Sequence, residues 1–202
     1  MPAHAEAPES GSQALSREER AFLVELAQKA IEAEVRGANP PEAAGVPARL
    51  AAPGAVFVSL YQGDTLRGCI GQVFAMEPLY QAVRHAAVAA ALSDPRFPPV
   101  TTDELAGLRI EISALSPPVE VDASGVEGRI LIGRHGVLIE SGLQRGVLLP
   151  QVPVRYGWQA RQFLEQTCVK AGLSADAWRS GARVYLFTAQ VFGPAEEAGA
   201  GA

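Results

Sequence analysis

Apolar positions in this chain fall at helical spacing in some stretches and alternate in others, which divides the sequence between helix and strand. Behind the capping box Ser16-Arg17-Glu18-Glu19, the residues Phe22, Leu23, Leu26, Ala30 and Ile31 predict an amphipathic helix to about Arg36. A second stripe, Leu79, Ala82, Val83, Ala86, Ala87 and Ala90, follows Pro78, a residue suited to a first helical turn. Its alanines let the helix lie close to a sheet. A third stripe, Ala160, Phe163, Leu164, Thr167, Cys168 and Ala171, predicts a helix from Tyr156 to Ala171 closed by Gly172, which places Cys168 in the core.

The strand signals lie between these helices. Ala55 to Tyr61 is rich in β-branched and aromatic residues, and Gln62-Gly63-Asp64-Thr65 has turn chemistry, so residues 55–71 read as a hairpin. Arg109 to Leu115 sets Ile110 and Ile112 against Glu111 and Ser113, the alternation of a half-buried strand. The short apolar runs Arg129–Ile132, Val137–Glu140 and Val147–Leu149 read as a meander, with His135 in the turn from Gly133 to Gly136. Arg183 to Phe192 is the last strand, and Ser174 can cap a short helix before it, through Trp178. Prolines and glycines make residues 37–54 a long loop, and Asp94-Pro95-Arg96-Phe97-Pro98-Pro99-Val100 a stiff irregular one, because each proline forces its predecessor out of the α region. A capping box at Thr101 to Glu104 opens a short helix to Gly107.

Without a regular βαβ alternation the fold class is α+β, a mixed and mostly antiparallel sheet flanked by helices. The chain has 202 residues, 48% of them hydrophobic, enough for a substantial core. Residues 1–14 are too polar to offset their ordering entropy and read as a disordered tail, residues 193–202 as a flexible one, and 15–192 as the folded domain. No run of about 20 uncharged apolar residues is present, and no secretory leader pattern opens the chain, so a cytoplasmic location and no membrane association are expected.

The net charge is −5 and lysines occur only at positions 29 and 170, with no basic stripe of the kind a phosphate backbone attracts, so no nucleic-acid partner is expected. Two cysteines nearly a hundred positions apart make neither a disulfide framework nor a zinc pattern, and no metal or cofactor motif accompanies them.

The candidate chemistry is concentrated in Leu66-Arg67-Gly68-Cys69-Ile70-Gly71. Strand alternation puts Arg67 and Cys69 on one face, about 7 Å apart at Cα, and glycine at 68 and 71 suggests close approach of backbone or ligand. A fixed cation beside a thiol favours the thiolate, so Cys69 reads as a nucleophile or redox group with Arg67 as its partner. Packing explains the same residues: a free cysteine is commonly a small buried hydrophobe, and the glycines would let a helix sit tightly on the sheet. Asp94 and Arg96 are either polar groups presented at a pocket rim or local satisfiers of a structural corner. His135 is either a base or ligand opposite Cys69 or a residue chosen for turn geometry.

The hexapeptide Leu66–Gly71 resembles the signature of the AMMECR domain family. Asp94–Val100, Ile110-Glu111-Ile112-Ser113, Leu115-Ser116-Pro117, Gly133-Arg134-His135-Gly136 and Leu148-Leu149-Pro150-Gln151-Val152 resemble further family motifs in family order, followed by Trp158, Phe163, Leu164, Cys168 and Lys170–Leu173. The resemblance implies a larger mixed lobe and a smaller lobe with a groove near the Cys69 strand. It implies a component of the AmmeMemoRadiSam system, acting with a Memo-like protein and a radical SAM protein, which would carry any iron–sulfur cluster or metal. Val152-Pro153-Val154 departs from the family pattern by placing a proline at the entry to the third helix.

Two functions follow as expectations. The domain is an adaptor or substrate-presenting module whose Leu66–Gly71 strand is a binding surface, or it is a cysteine-dependent enzyme on a small anionic substrate. In the second case Cys69 and Arg67 are catalytic, and Glu111, His135 or Asp94 carry protons. Gly68, Gly71, Asp94, Arg96, Glu111, His135 and Gln151 are the candidates for contact with a substrate, a small-molecule ligand or a partner.

Overall fold

The computed structural model describes residues 14–40 and 42–194. The tail assigned to residues 1–14 lies outside them except for Ala14, whose carbonyl accepts from Arg49; beyond Pro194 the second tail is likewise outside. The chain divides into two compact units. Of the described residues, the larger comprises 14–115 together with 190–194, and the smaller comprises 116–189.

In the larger unit, α1 (Arg17–Val35) starts at the expected capping box, with the Ser16 side chain accepting from Glu19 N and the Glu19 side chain accepting from Ser16 N. Strands β1 (Ala55–Gln62), β2 (Thr65–Gln72) and β3 (Leu108–Leu115) lie antiparallel in the order β2-β1-β3. Helix α2 (Leu79–Leu92) buries its predicted alanine stripe. Val56, Val58, Leu60, Ile110 and Ile112 pack with the inner stripes of α1 and α2 in one core. The capping box at Thr101 opens a 3-10 turn, Thr102–Gly107.

Glycine 68 is dictated by that core. A Cβ there would lie 2.1 Å from the Ala90 carbonyl oxygen, so α2 rests directly on the bare backbone of β2. Gly71 answers a different demand, since a Cβ there would lie 2.2 Å from the Val56 carbonyl and 2.6 Å from Cγ of Phe57.

In the smaller unit, β4 (Val119–Val121) pairs with β7 (Arg183–Phe192), and β5 (His135–Ser141) pairs with both β7 and β6 (Gln144–Leu148). The run Arg129–Ile132 is not a strand. Val126–Arg129 forms a single helical turn, α3, and Leu131–Arg134 a tight turn, so Val126 and Ile130 reach the core while Leu131 and Ile132 remain exposed. The predicted third helix, Tyr156 to Ala171, is α5 (Ala160–Lys170), which starts later because Gly157 takes a left-handed conformation (φ +66°) and Gln159 opens the helix with its own capping box; a separate short helix, α4 (Gln151–Tyr156), precedes that glycine. Pro153 sits in the first turn of α4, where its missing N–H costs nothing. Cys168 is buried, as expected. Before β7 the 3-10 turn Ala177–Arg179 is preceded by Asp176, in place of the Ser174-capped helix.

Candidate functional site

The β1–β2 hairpin does not keep strict alternation at its key residue. Leu60 pairs with Gly68 and Tyr61 with Leu66, so Arg67 is the extra residue of a β-bulge. Bulges re-aim side chains. Arg67 reaches the proline-rich loop, where its Nε and NH2 donate to the two carboxylate oxygens of Glu104 at 2.7 and 3.0 Å. NH1 donates to the Pro98 carbonyl at 2.8 Å and NH2 to that of Pro99 at 3.2 Å. Glu104 also accepts from Thr101 N, and the Arg67 guanidinium holds its carboxyl down at about 2. The expected pairing of Arg67 with Cys69 is therefore replaced by a latch between β2 and the loop.

The guanidinium beside Cys69 belongs to Arg96. Its NH2 donates to the Cys69 carbonyl at 3.0 Å, and its charge also lies near the thiol. Asp94 completes the arrangement. Its Oδ2 accepts from Cys69 N at 2.8 Å and from Arg96 NH2 at 2.6 Å, while Oδ1 accepts from Arg96 N and Nε. The Asp94 side chain is only 1% exposed, and the Arg96 guanidinium holds its carboxyl far below the ordinary carboxylate range against the cost of that burial. β2 ends the order β2-β1-β3. Asp94 and Arg96 thus cover both outward backbone groups of Cys69 as a neighbouring strand would.

The thiol itself lies on the face away from α2. Ser59 stands opposite Cys69 in β1, and Glu111 opposite Ser59 in β3, so the three residues form one row across the sheet. Ser59 is buried, and its Oγ donates to Cys69 Sγ at 3.3 Å. Glu111 lies 3.9 Å from Arg109, which covers the Tyr61 ring at 4.4 Å. Cys69 is half-buried. The two groups that meet its sulfur are a hydroxyl and a guanidinium, and neither is a strong base.

Cys69, Asp94, Arg96 and Glu111 are therefore brought together on the β2-β1-β3 sheet, Arg67 supports them through Glu104, and Gly68 and Gly71 shape the backbone beneath. His135 and Gln151 are in the smaller unit. His135 is not a turn residue. It opens β5, its ring is buried with Nδ1 accepting from Leu131 N, and burial pushes its pKa down. Gln151 begins α4. Sequence reasoning missed Ser59 and Glu104. Ser59 is the one polar residue in the run Ala55–Tyr61, a visible anomaly; Glu104 already had a role as a cap, which hid its second one. Among the described residues no group of three or more His, Cys, Asp or Glu side chains is placed to hold a metal, and no helix is long and apolar enough to cross a membrane.

Comparison with known proteins gives a family match over most of the chain. Residues 24–192 match the family model described as AMMECR1. Protein TK0174 of Thermococcus kodakarensis is 46% identical over 182 residues, covering 85% of this chain and 88% of the relative. Protein MK0488 of Methanopyrus kandleri is 43% identical over 192 residues, covering 92% and 93%. The crystal structure of the uncharacterized protein PH0010 from Pyrococcus horikoshii superposes with a TM-score of 0.84 at 39% identity, covering 88% of this chain and 92% of that one.

Proposed function

The chain belongs to the AMMECR1 family, and from the geometry around Cys69 we propose that it is an adaptor or substrate-presenting component acting with a Memo-like protein and a radical SAM protein. The observation that carries this reading is the fixation of the site. Each donor group of Arg67 is engaged by Glu104, Pro98 or Pro99, and both backbone groups of Cys69 are engaged by Asp94 and Arg96. A surface held in this way pays little ordering entropy when a partner docks. The group that contacts the thiol is a serine hydroxyl rather than the carboxylate or imidazole base that a free-standing nucleophile uses.

A second reading rests on one contact, the Ser59 hydroxyl donating to Sγ with Arg96 alongside. Donors aimed at sulfur suit a thiolate, and they support a cysteine-dependent reaction on a small anionic substrate with Arg96 in the place first given to Arg67.

Two substitutions separate the readings. Cys69→Ser keeps the size of the side chain and removes the sulfur; Cys69→Trp adds bulk at a half-buried position, and unchanged circular dichroism and melting temperature establish that the variant folds. For the adaptor, calorimetric affinity for the two partners stays within about two-fold in Cys69→Ser and falls more than about ten-fold in Cys69→Trp. Full binding by Cys69→Ser combined with loss of the reconstituted system's product would overturn the adaptor reading in favour of the enzyme.

A further inference from the structure

The smaller unit carries a second surface that the Cys69 site does not explain and that packing explains only where the Tyr156 ring stacks on Trp158 at 4.9 Å. Leu131 and Ile132, at the turn before β5, are 51% and 38% exposed, and Val154 and Tyr156 of α4 are 59% and 61% exposed. The turn and the helix touch. Gly133 takes φ +84°, and a Cβ on it would lie 3.3 Å from Cγ2 of Val154. The unit thus presents apolar side chains from two adjoining segments to solvent, which single scattered residues do not amount to.

The charged residues of these two segments have one sign. The segments Leu131–His135 and Gln151–Trp158 contain Arg134 and Arg155 and no acidic residue, although the chain as a whole carries a net charge of −5. Other arginines of the unit are neutralised locally: Arg145 and Arg183 by Glu140, Arg161 and Arg179 by Glu127. Arg134 and Arg155 are exposed and meet no acidic partner among the described residues. Two unneutralised guanidinium groups beside four exposed apolar side chains are complementary to one kind of ligand, an apolar segment flanked by carboxylates.

We propose that the turn Leu131–Arg134 and helix α4 form a docking site for an acidic, amphipathic segment of a partner protein. The apolar side chains supply the buried contact and the arginines set its orientation and specificity. The proposal is independent of the Cys69 face, which lies in the other unit, and it gives the chain a recognition surface of its own whether that face binds or reacts.

The test is selection of 15-residue peptides from a random library on the full chain, with counter-selection on the triple variant Leu131→Ser/Arg134→Glu/Arg155→Glu. The three positions are exposed, and unchanged circular dichroism and melting temperature establish that the variant folds. Enrichment of sequences combining Asp or Glu with Leu, Ile or Phe is expected. Synthetic peptides of the enriched sequence should bind at least about ten-fold more weakly to Arg134→Glu/Arg155→Glu, and more weakly as salt rises. Enrichment of basic or uncharged sequences, or equal recovery on the variant, would overturn the proposal. So would co-sedimentation of the chain with phosphatidylserine vesicles that the same substitutions abolish, since the surface would then be a membrane contact.

Discussion

If Arg67 is a latch rather than an activator of Cys69, its energetic partner is Glu104, and a double-mutant cycle measures that directly. The pair is mostly buried, with side-chain exposures of 13% and 24%. It makes two charge-assisted bonds at 2.7 and 3.0 Å. Bonds to charged groups contribute about 1.5–3 kcal/mol each, and partial solvent screening trims the sum, so the coupling should be about 2 kcal/mol. Arg67→Ala also strips donors from the Pro98 and Pro99 carbonyls at about 1 kcal/mol each. Glu104→Ala also removes the cap on Thr101 N, worth about 1 kcal/mol. The single variants should therefore lose about 4 and about 3 kcal/mol and the double variant about 5, read from urea midpoints at pH 7. Arg67→Lys sharpens the test, since it retains the charge but not the planar fork, and should recover at most about 1 kcal/mol of the loss. A coupling below about 0.5 kcal/mol, or full recovery with lysine, would refute the latch and return Arg67 to the role of a point charge near the thiol.

Gly68→Ala places a methyl against the Ala90 carbonyl and should cost more than about 3 kcal/mol, whereas Gly107→Ala, with nothing within 4 Å, should stay within about 0.5; similar denaturation midpoints for the two would disprove the close approach of α2. Glu104 and Asp94 have folded pKa values below their unfolded ones, so their stabilisation is complete above about pH 5 and fades as pH falls toward 2. Glu104→Gln should flatten the fall in urea stability between pH 5 and 3, and an unaltered slope would count against the ion pair. Burial depresses His135, and the unfolded chain takes up that proton first as pH drops below about 6.5; stability should decline there in the wild type and not in His135→Gln, which equilibrium unfolding at pH 7 and 5 would reveal.

What could be read from the sequence depended on how far apart the interacting residues lie in the chain. The amphipathic stripes of α1 and α2, the β1–β2 hairpin and the capping boxes at Ser16 and Thr101 are local, and periodicity and cap chemistry specify them. The bulge at Arg67 is a shift of one residue between two strands, which alternation along β2 alone cannot show, and it reverses the meaning of the arginine. Arg129–Ile132 is a short apolar run, for which strand and helical turn have the same signature. The break at Gly157 was more accessible: glycine followed by Gln159 and Gln162 is a stop and a new start, so the apolar stripe that begins at Ala160 gave no reason to extend the helix back to Tyr156. Family membership was legible because motif order, unlike contacts, is a property of the chain itself.

The manner in which Cys69 is held limits how a partner can meet it. An exposed edge strand invites pairing with another chain through its outward N–H and C=O groups. At Cys69 both are occupied, by Asp94 and Arg96, so strand addition across this residue would require breaking the two hydrogen bonds that they make to it. Removing Arg96 would leave Asp94 charged and buried without its counterion, a larger loss than one surface ion pair. With the edge occupied, a partner under the proposed function would meet side chains rather than backbone: half-buried Cys69 and Glu111 flank the buried Ser59 in one row across three strands. The Arg67–Glu104 latch together with the Asp94–Arg96 bracket holds the thiol at a constant position on that face.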